Sequence, residues 1–275
     1  MRRIRLVLSS LAFAMGLMGL PWLAIAGAAP TKSAGPTVGQ IVNRYVAARG
    51  GRKAWDELQT MAWVGHMESS RLDASAASFV MEMKRPGKTR FELSQQGHKS
   101  LRAFDGENGW NLHQTKKGPE VRDFTPDERA FAADAFGMDG PLMHYPGNGV
   151  KATLEGVDEL EGHKAYRLNL VLPSGARRQT WIDAQTYLEL RYDRTAVNST
   201  QRPETVSVYY RNYQAFGGLQ IPLTIETAAG QGRESDKMII EKVALNPPVT
   251  DEFFAKPRLV SRPAAAASRY NGPAR

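Results

Sequence analysis

The chain has 275 residues, with 36 Lys and Arg against 28 Asp and Glu, and no cysteine. The lack of thiols excludes a disulfide framework, thiolate metal sites, a cysteine nucleophile and a lipidated cysteine, so stability has to come from a packed core. A net charge of +8 fits an anionic membrane surface or an acidic partner as readily as ordinary solubility, and it says nothing about fold.

Arg2, Arg3 and Arg5 precede an apolar run over 4–25 that ends in small residues. This pattern reads as a cleaved secretory signal peptide over 1–29. Cleavage after Ala26, where Ala24 and Ala26 supply the small-x-small pattern, and cleavage two or three residues later both remain open. A retained anchor helix is the alternative, but it needs about 20 continuous apolar residues, and Gly16, Gly19 and Pro21 interrupt this run. Removing the three leader arginines from 36 cations against 28 anions leaves +5 on a mature chain of about 245 residues, a length that a single all-β domain reaches.

Residues 30–37 read as a linker. Val38, Ile41, Val42, Tyr45 and Val46 then recur at helical spacing until Gly50 and Gly51 end the pattern. A short second helix is expected over 52–58, with Trp55 and Leu58 on one side. From Thr60 the period changes to two. Trp63 and Met67 alternate with Val64 and His66, Phe79, Met81 and Met83 with Val80, Glu82 and Lys84, and Phe91 and Leu93 with Arg90 and Glu92, as in half-buried strands. Turns at Pro86-Gly87 and over 105–109, before Trp110, are too short for crossovers and make the neighbours antiparallel.

Thr125-Pro126-Asp127-Glu128 is a helix start, followed by Phe131, Ala135 and Phe136 and ended by Gly137. A Gly/Pro-rich loop over 138–149 returns the chain to strands at 150–157, 163–172, 177–183, 187–194, 204–216, 219–227 and 234–245, for about eleven strands in all. Most carry one apolar face, as in Tyr166, Leu168, Leu170 and Leu172, or in Leu188, Leu190 and Tyr192. An antiparallel sheet of this size curls as its twist accumulates. The fold class expected is therefore mainly β, a barrel or half barrel whose concave face is plugged by the few helices. Asn246-Pro247-Pro248 ends the last strand, Phe253-Phe254 pins the chain back on the body, and 258–275 reads as a disordered tail.

No catalytic pattern is present: there is no G-x-S-x-G elbow, phosphate loop, H-E-x-x-H or G-x-G-x-x-G. His66, His98, His113, His144 and His163 are too scattered for a local metal motif. Asp105 and Glu107 sit in a turn without the later ligands of a calcium loop. Asn198-Ser199-Thr200 matches a glycosylation sequon. The basic pairs Lys84-Arg85, Lys116-Lys117 and Arg177-Arg178 lack interleaved aromatics and read as solvated loop ends rather than a nucleic-acid platform. The chain is thus expected to be no enzyme, with neither cofactor nor metal.

The informative feature is the makeup of the apolar faces. Trp63, Met67, Phe79, Met81, Met83, Phe91 and Leu93 put large or polarizable groups on one side of three successive strands. Methionine adapts to irregular contents such as an acyl chain. A curved sheet covered by two or three helices leaves a gap, and apolar gaps bind apolar ligands. These seven, with Tyr166, Leu168 and Leu170, are the candidate cavity residues, although stripes of this kind are more often plain core.

Several runs together resemble the outer-membrane lipoprotein-sorting family (LolA/LolB-like). They are Ile41-Val42 through Ala48-Arg49-Gly50-Gly51 with Trp55 and Leu58; Phe104-Asp105-Gly106 with Gly109-Trp110; Leu154-Glu155-Gly156 to Gly162-His163-Lys164-Ala165-Tyr166; Trp181-Ile182-Asp183-Ala184; Gly218-Leu219-Gln220-Ile221-Pro222; and Val243-Ala244-Leu245-Asn246-Pro247-Pro248 with Phe253-Phe254-Ala255-Lys256-Pro257. The resemblance covers roughly 38–257. It implies an eleven-stranded half barrel, a helical lid, a hydrophobic cavity and carriage of lipoproteins across the periplasm, with no catalytic residues to transfer. The chain is longer than the minimal carrier, and the loop arginine that gates that carrier's lid has no single counterpart here. The partners implied are lipid or lipoprotein acyl chains, an inner-membrane exporter or sensor protein, and transient membrane contact by a monomer, with no nucleic acid. The alternative within the same fold is an RseB-like envelope-stress sensor that binds lipid or lipoprotein signals.

Overall fold

The computed structural model describes residues 35–69, 77–116, 118–135, 137–197, 200, 202–230 and 235–257. The expected signal peptide, most of the 30–37 linker, the 258–275 tail, Asn198-Ser199, Lys117 and Phe136 lie outside them.

Helix α1 (Val38–Ala48) begins with a capping box, in which Thr37 Oγ1 accepts from the Gln40 N–H at 3.3 Å and Gln40 Oε1 accepts from the Thr37 N–H at 2.8 Å. Its apolar stripe, Ile41, Val42, Tyr45 and Val46, is buried. The helix stops where Gly50 adopts φ 113°, a conformation that also lets the backbone pass close to Gly218. Helix α2 (Arg52–Glu57) buries Trp55, whose Nε1 donates to the Arg49 carbonyl at 2.9 Å.

Strands β1 (Thr60–Ser69), β2 (Ala77–Lys84), β3 (Lys88–Gln95), β4 (His98–Phe104), β5 (Gly109–Thr115) and β6 (Gly118–Asp123) form a meander. Helix α3 (Pro126–Asp134) follows, again with a capping box, made by Thr125 and Glu128. After the 137–149 loop come β7 (Lys151–Leu160), β8 (His163–Val171), β9 (Arg177–Asp183), β10 (Glu189–Val197), β11 (Pro203–Phe216), β12 (Leu219–Ala229) and β13 (Ser235–Leu245). They make one antiparallel sheet in the order β6-β5-β4-β3-β2-β1-β13-β12-β11-β10-β9-β8-β7. The last strand therefore pairs with the first, and β6 and β7 end the sheet without meeting, which gives a curved, unclosed half barrel.

Thirteen strands stand where about eleven are expected. The difference lies between Gln95 and Asp123. Here Gln96 (φ 49°) and Gly97 (φ 80°) make a tight turn that sends His98–Phe104 back along β3, and Gly118 (φ 116°) starts a short partner for β5. These strands are short and polar, so alternation leaves them without a signal.

Register fixes the two faces. Met61 opposes Met83, Trp63 opposes Met81 and Gly65 opposes Phe79, and further along Met81 opposes Phe91 and Phe79 opposes Leu93. Directly opposed residues share a face, so the apolar stripe expected over the first three strands is continuous on the inner side. At Gly65 the β1–β13 ladder carries a bulge, and a Cβ there would stand 1.9 Å from the Ile239 carbonyl oxygen. Glycine is what allows the sheet to bend at this seam.

The outer face is sheathed differently at its two ends. Across β8 to β12, Arg167, Trp181, Arg191, Tyr209 and Glu226 oppose one another in a row. The Arg191 guanidinium lies 4.7 Å from the Trp181 ring centre, and Trp181 Nε1 donates to Asp158 at 2.9 Å. At the other end, the segment after β13 crosses over. Phe254 is fully buried and its carbonyl accepts from Trp110 Nε1 at 3.0 Å, while Phe253 lies under Arg90.

The main core lies on the inner side, where Ile41, Val42, Tyr45 and Val46 of α1 meet Met61, Leu168, Leu170, Ile182, Leu219 and Ile221 of the sheet and Leu142 and Met143 of the loop.

Candidate functional site

The helices leave part of the inner face uncovered. Between the sheet, α1, α3 and the 137–141 stretch lies a cavity of about 510 Å³, within the usual range of about 300–1,000 Å³ for small-molecule sites. Trp63, Met81, Met83, Pro222 and Ile225 form an apolar wall on the strands around the seam. Ala130, Phe131 and Met138 cover it from α3 and the loop.

The opposite wall is polar. Arg178 Nη2 donates to Glu189 Oε1 at 2.8 Å, and its Cζ sits 3.5 Å from the centre of the Tyr192 ring. Burial opposes the guanidinium's charge, but Glu189 and the phenols of Tyr192 and Tyr210 more than offset it, and the Arg178 pKa lies above its ordinary value. Burial also pushes the Tyr210 and Tyr213 phenols well above their ordinary value. Tyr210 and Tyr213 both face the cavity although they are three residues apart, because Asn212 between them takes a left-handed conformation, φ 55°. Tyr213 Oη donates to the Glu189 carbonyl at 2.9 Å. On the α1 side, Arg49 lies 4.4 Å above the Trp55 ring centre and donates to Tyr45 Oη at 2.8 Å and the Gln220 carbonyl at 3.1 Å.

Of the ten candidate residues, Trp63, Met81 and Met83 line this cavity. Leu168 and Leu170 lie in the core with the α1 stripe, and Tyr166 packs against that core beside Tyr187, ring centres 5.9 Å apart. Phe79 is buried and stacks on Phe91 at 5.8 Å. Met67 and Leu93 share the inner face but are not among the lining residues.

One sequence expectation is overturned. Arg178 is no solvated loop end: it is 9 % exposed and part of the cavity wall. Arg85 likewise turns inward, its guanidinium bidentate on Asp139 and its Nη2 also donating to the Trp55 carbonyl at 2.7 Å. Glu189, Tyr192 and Arg194 were equally hidden. The ladder between β9 and β10 shifts register between Glu189 and Arg191, so Glu189 and Tyr192 line one cavity at an odd spacing that strict alternation forbids. The only local hint is parity: Arg178 stands two and four residues before Thr180 and Ile182, both fully buried.

The histidines are dispersed in space as well. His66 Nδ1 lies 2.7 Å from Glu241 and His163 Nδ1 2.9 Å from Asp183. Among the described residues, no group of three or more His, Asp or Glu is placed to hold a metal ion.

No protein-family model matches the chain, and neither does any curated protein. Solved structures do match. A DUF1329 family protein from Desulfovibrio piger superposes with a TM-score of 0.55 at 14% identity over 80% of this chain and 98% of its own. A LolA superfamily protein from Nitrosomonas europaea gives 0.53 at 12% over 81% and 99%. The chain has the LolA-type half-barrel fold. An outer-membrane lipoprotein-sorting protein domain from Vibrio parahaemolyticus agrees, at 0.53 and 10% identity over 78% and 94%. Identities this low speak for architecture and leave the ligand of this LolA-type chain to its own cavity.

Proposed function

We propose that the protein is a periplasmic carrier, not an enzyme, that holds the acyl part of a lipoprotein or a lipid in the cavity under α1 and α3. The observation that carries this reading is the 510 Å³ space bounded on one side by Trp63, Met81, Met83, Pro222 and Ile225. Each methylene moved from water into such a space gains about 0.8 kcal/mol. The two methionines adapt to a chain of variable outline. The LolA-type fold shared with a lipoprotein-sorting protein domain and the secretory pattern at the N-terminus support the same job and place.

Entry and exit of cargo then fall to α3 and the 137–149 loop, which cover the cavity through few apolar anchors. The test is direct. Purified chain is extracted with organic solvent for mass spectrometry, and a neutral fluorescent probe, N-phenyl-1-naphthylamine, is titrated with competing acyl compounds. Copurified lipid and displaceable probe are expected. Absence of both removes the carrier reading.

A further inference from the structure

Arg178 and Arg194 are direct cross-strand partners on β9 and β10, and both line the cavity. Like charges directly opposed on one sheet face repel each other, so this arrangement calls for a compensating anion. Only one carboxylate answers: Glu189 pairs with Arg178. The Arg194 side chain has no ion pair or hydrogen bond among the described residues, and its guanidinium lies 4.5 Å over the Phe131 ring of α3. The Nε–H groups of both arginines are buried without an acceptor. Buried donors that stay unpaired cost free energy.

The acids on the covering side do not supply the missing charge. Asp139 is engaged by Arg85, Asp127 is exposed on α3, and Asp134, held by Ser174 Oγ, forms no ion pair with Arg178 or Arg194. On the polar wall Glu189 thus answers Arg178 alone, and Arg194 is left without a carboxylate partner. Trp63 lies four strand steps from Arg194, from β10 through β11, β12 and β13 to β1, about 19 Å along the sheet, and Met81 on β2 lies one step further.

We infer that the cavity is built for an amphiphile with an acidic head, a carboxylate or a phosphate monoester, which rests between Arg178 and Arg194 while its hydrocarbon part runs toward Trp63 and Met81. The head pairs with the two guanidinium groups and cancels the repulsion between them, with Arg–oxyanion pairing of the charge-assisted kind. This inference rests on the carrier reading and specifies its ligand class.

Displacement of N-phenyl-1-naphthylamine from the purified chain by palmitate, hexadecyl phosphate, methyl palmitate and inorganic phosphate tests it. Palmitate and hexadecyl phosphate are expected to compete about tenfold more strongly than methyl palmitate, the scale of one charged hydrogen bond. Inorganic phosphate is expected not to compete. Arg194→Gln should erase the preference for the acids over the ester, and Arg194→Lys should keep part of it. Arg194→Lys also carries the test if the glutamine variant folds poorly. Equal competition by palmitate and its ester overturns the acidic-head inference and leaves the carrier standing. Competition by inorganic phosphate as strong as that of hexadecyl phosphate overturns it too, since the tail would then play no part. If no acyl compound competes, the carrier reading itself fails.

Discussion

Arg178 and Glu189 meet at 2.8 Å in the cavity wall, their side chains only 10% and 6% exposed. A pair this deep is held by mutual neutralisation rather than by a large net gain, because both charges have left water. Removing one partner strands the other. Glu189→Ala should therefore cost about 3–5 kcal/mol in urea unfolding, whereas the paired replacement Arg178→Met with Glu189→Leu should recover most of it. A Glu189→Ala chain as stable as the parent would mean that water or another anion already serves Arg178.

Ile225 lines the cavity from β12. Replacing it by tryptophan fills space that acyl groups are proposed to use. Probe and palmitate affinity should fall by at least about tenfold, near 1.4 kcal/mol, while the unfolding midpoint holds or rises, as cavity-filling changes commonly stabilise. Unchanged affinity in a folded Ile225→Trp chain would place the acyl site elsewhere.

Phe254 fixes the segment after β13 to the outer face beneath β5, fully buried and joined to Trp110. Phe254→Ala should cost about 3–5 kcal/mol and expose the Trp110 indole, seen as a red shift of tryptophan emission. Ligand affinity should change little, because this contact is on the face opposite the cavity. A parallel loss of affinity would show that the outer clamp also shapes the inner wall.

Glu128 closes the capping box of α3 and accepts from Arg122 at 2.8 and 2.9 Å. The Arg122 hydrogen bonds, aided by the Thr125 N–H and the nearby Arg102, bring its carboxyl down to about 2. Because the folded pKa lies below the unfolded value of about 4.3, its contribution is fully present above that value and is lost as pH falls toward 2. Glu128→Gln should be about 0.5–1 kcal/mol less stable than the parent at neutral pH, and the two should converge in thermal melts between pH 5 and 2. A gap that persists at pH 2 would rule out the carboxylate as its source.

Much of the architecture is legible in the residue order. The period-two runs through Trp63, Met81 and Phe91 name their strands and their common face, and the opposed pairs Trp63–Met81 and Met81–Phe91 bear this out. Gly50-Gly51 and Thr125-Pro126 mark helix ends for local steric reasons, and these hold in α1 and α3. Parity along a strand is a property of neighbouring residues, so sequence suffices for it.

What lies above a given face is not local. Leu168 and Leu170 resemble Trp63 and Met81 in pattern, yet α1 settles over the first pair and makes them core, while the space beside the second stays open. Arg178 and Arg194 look like surface charges until the fold sets β9 against β10 and turns both inward. That outcome depends on a ladder shift at Glu189 and on a covering helix, α3 (Pro126–Asp134), that lies well before both strands in the chain. Only the assembled half barrel brings such distant segments together, because chain closure over these separations follows the sum of all packing and no single segment encodes it.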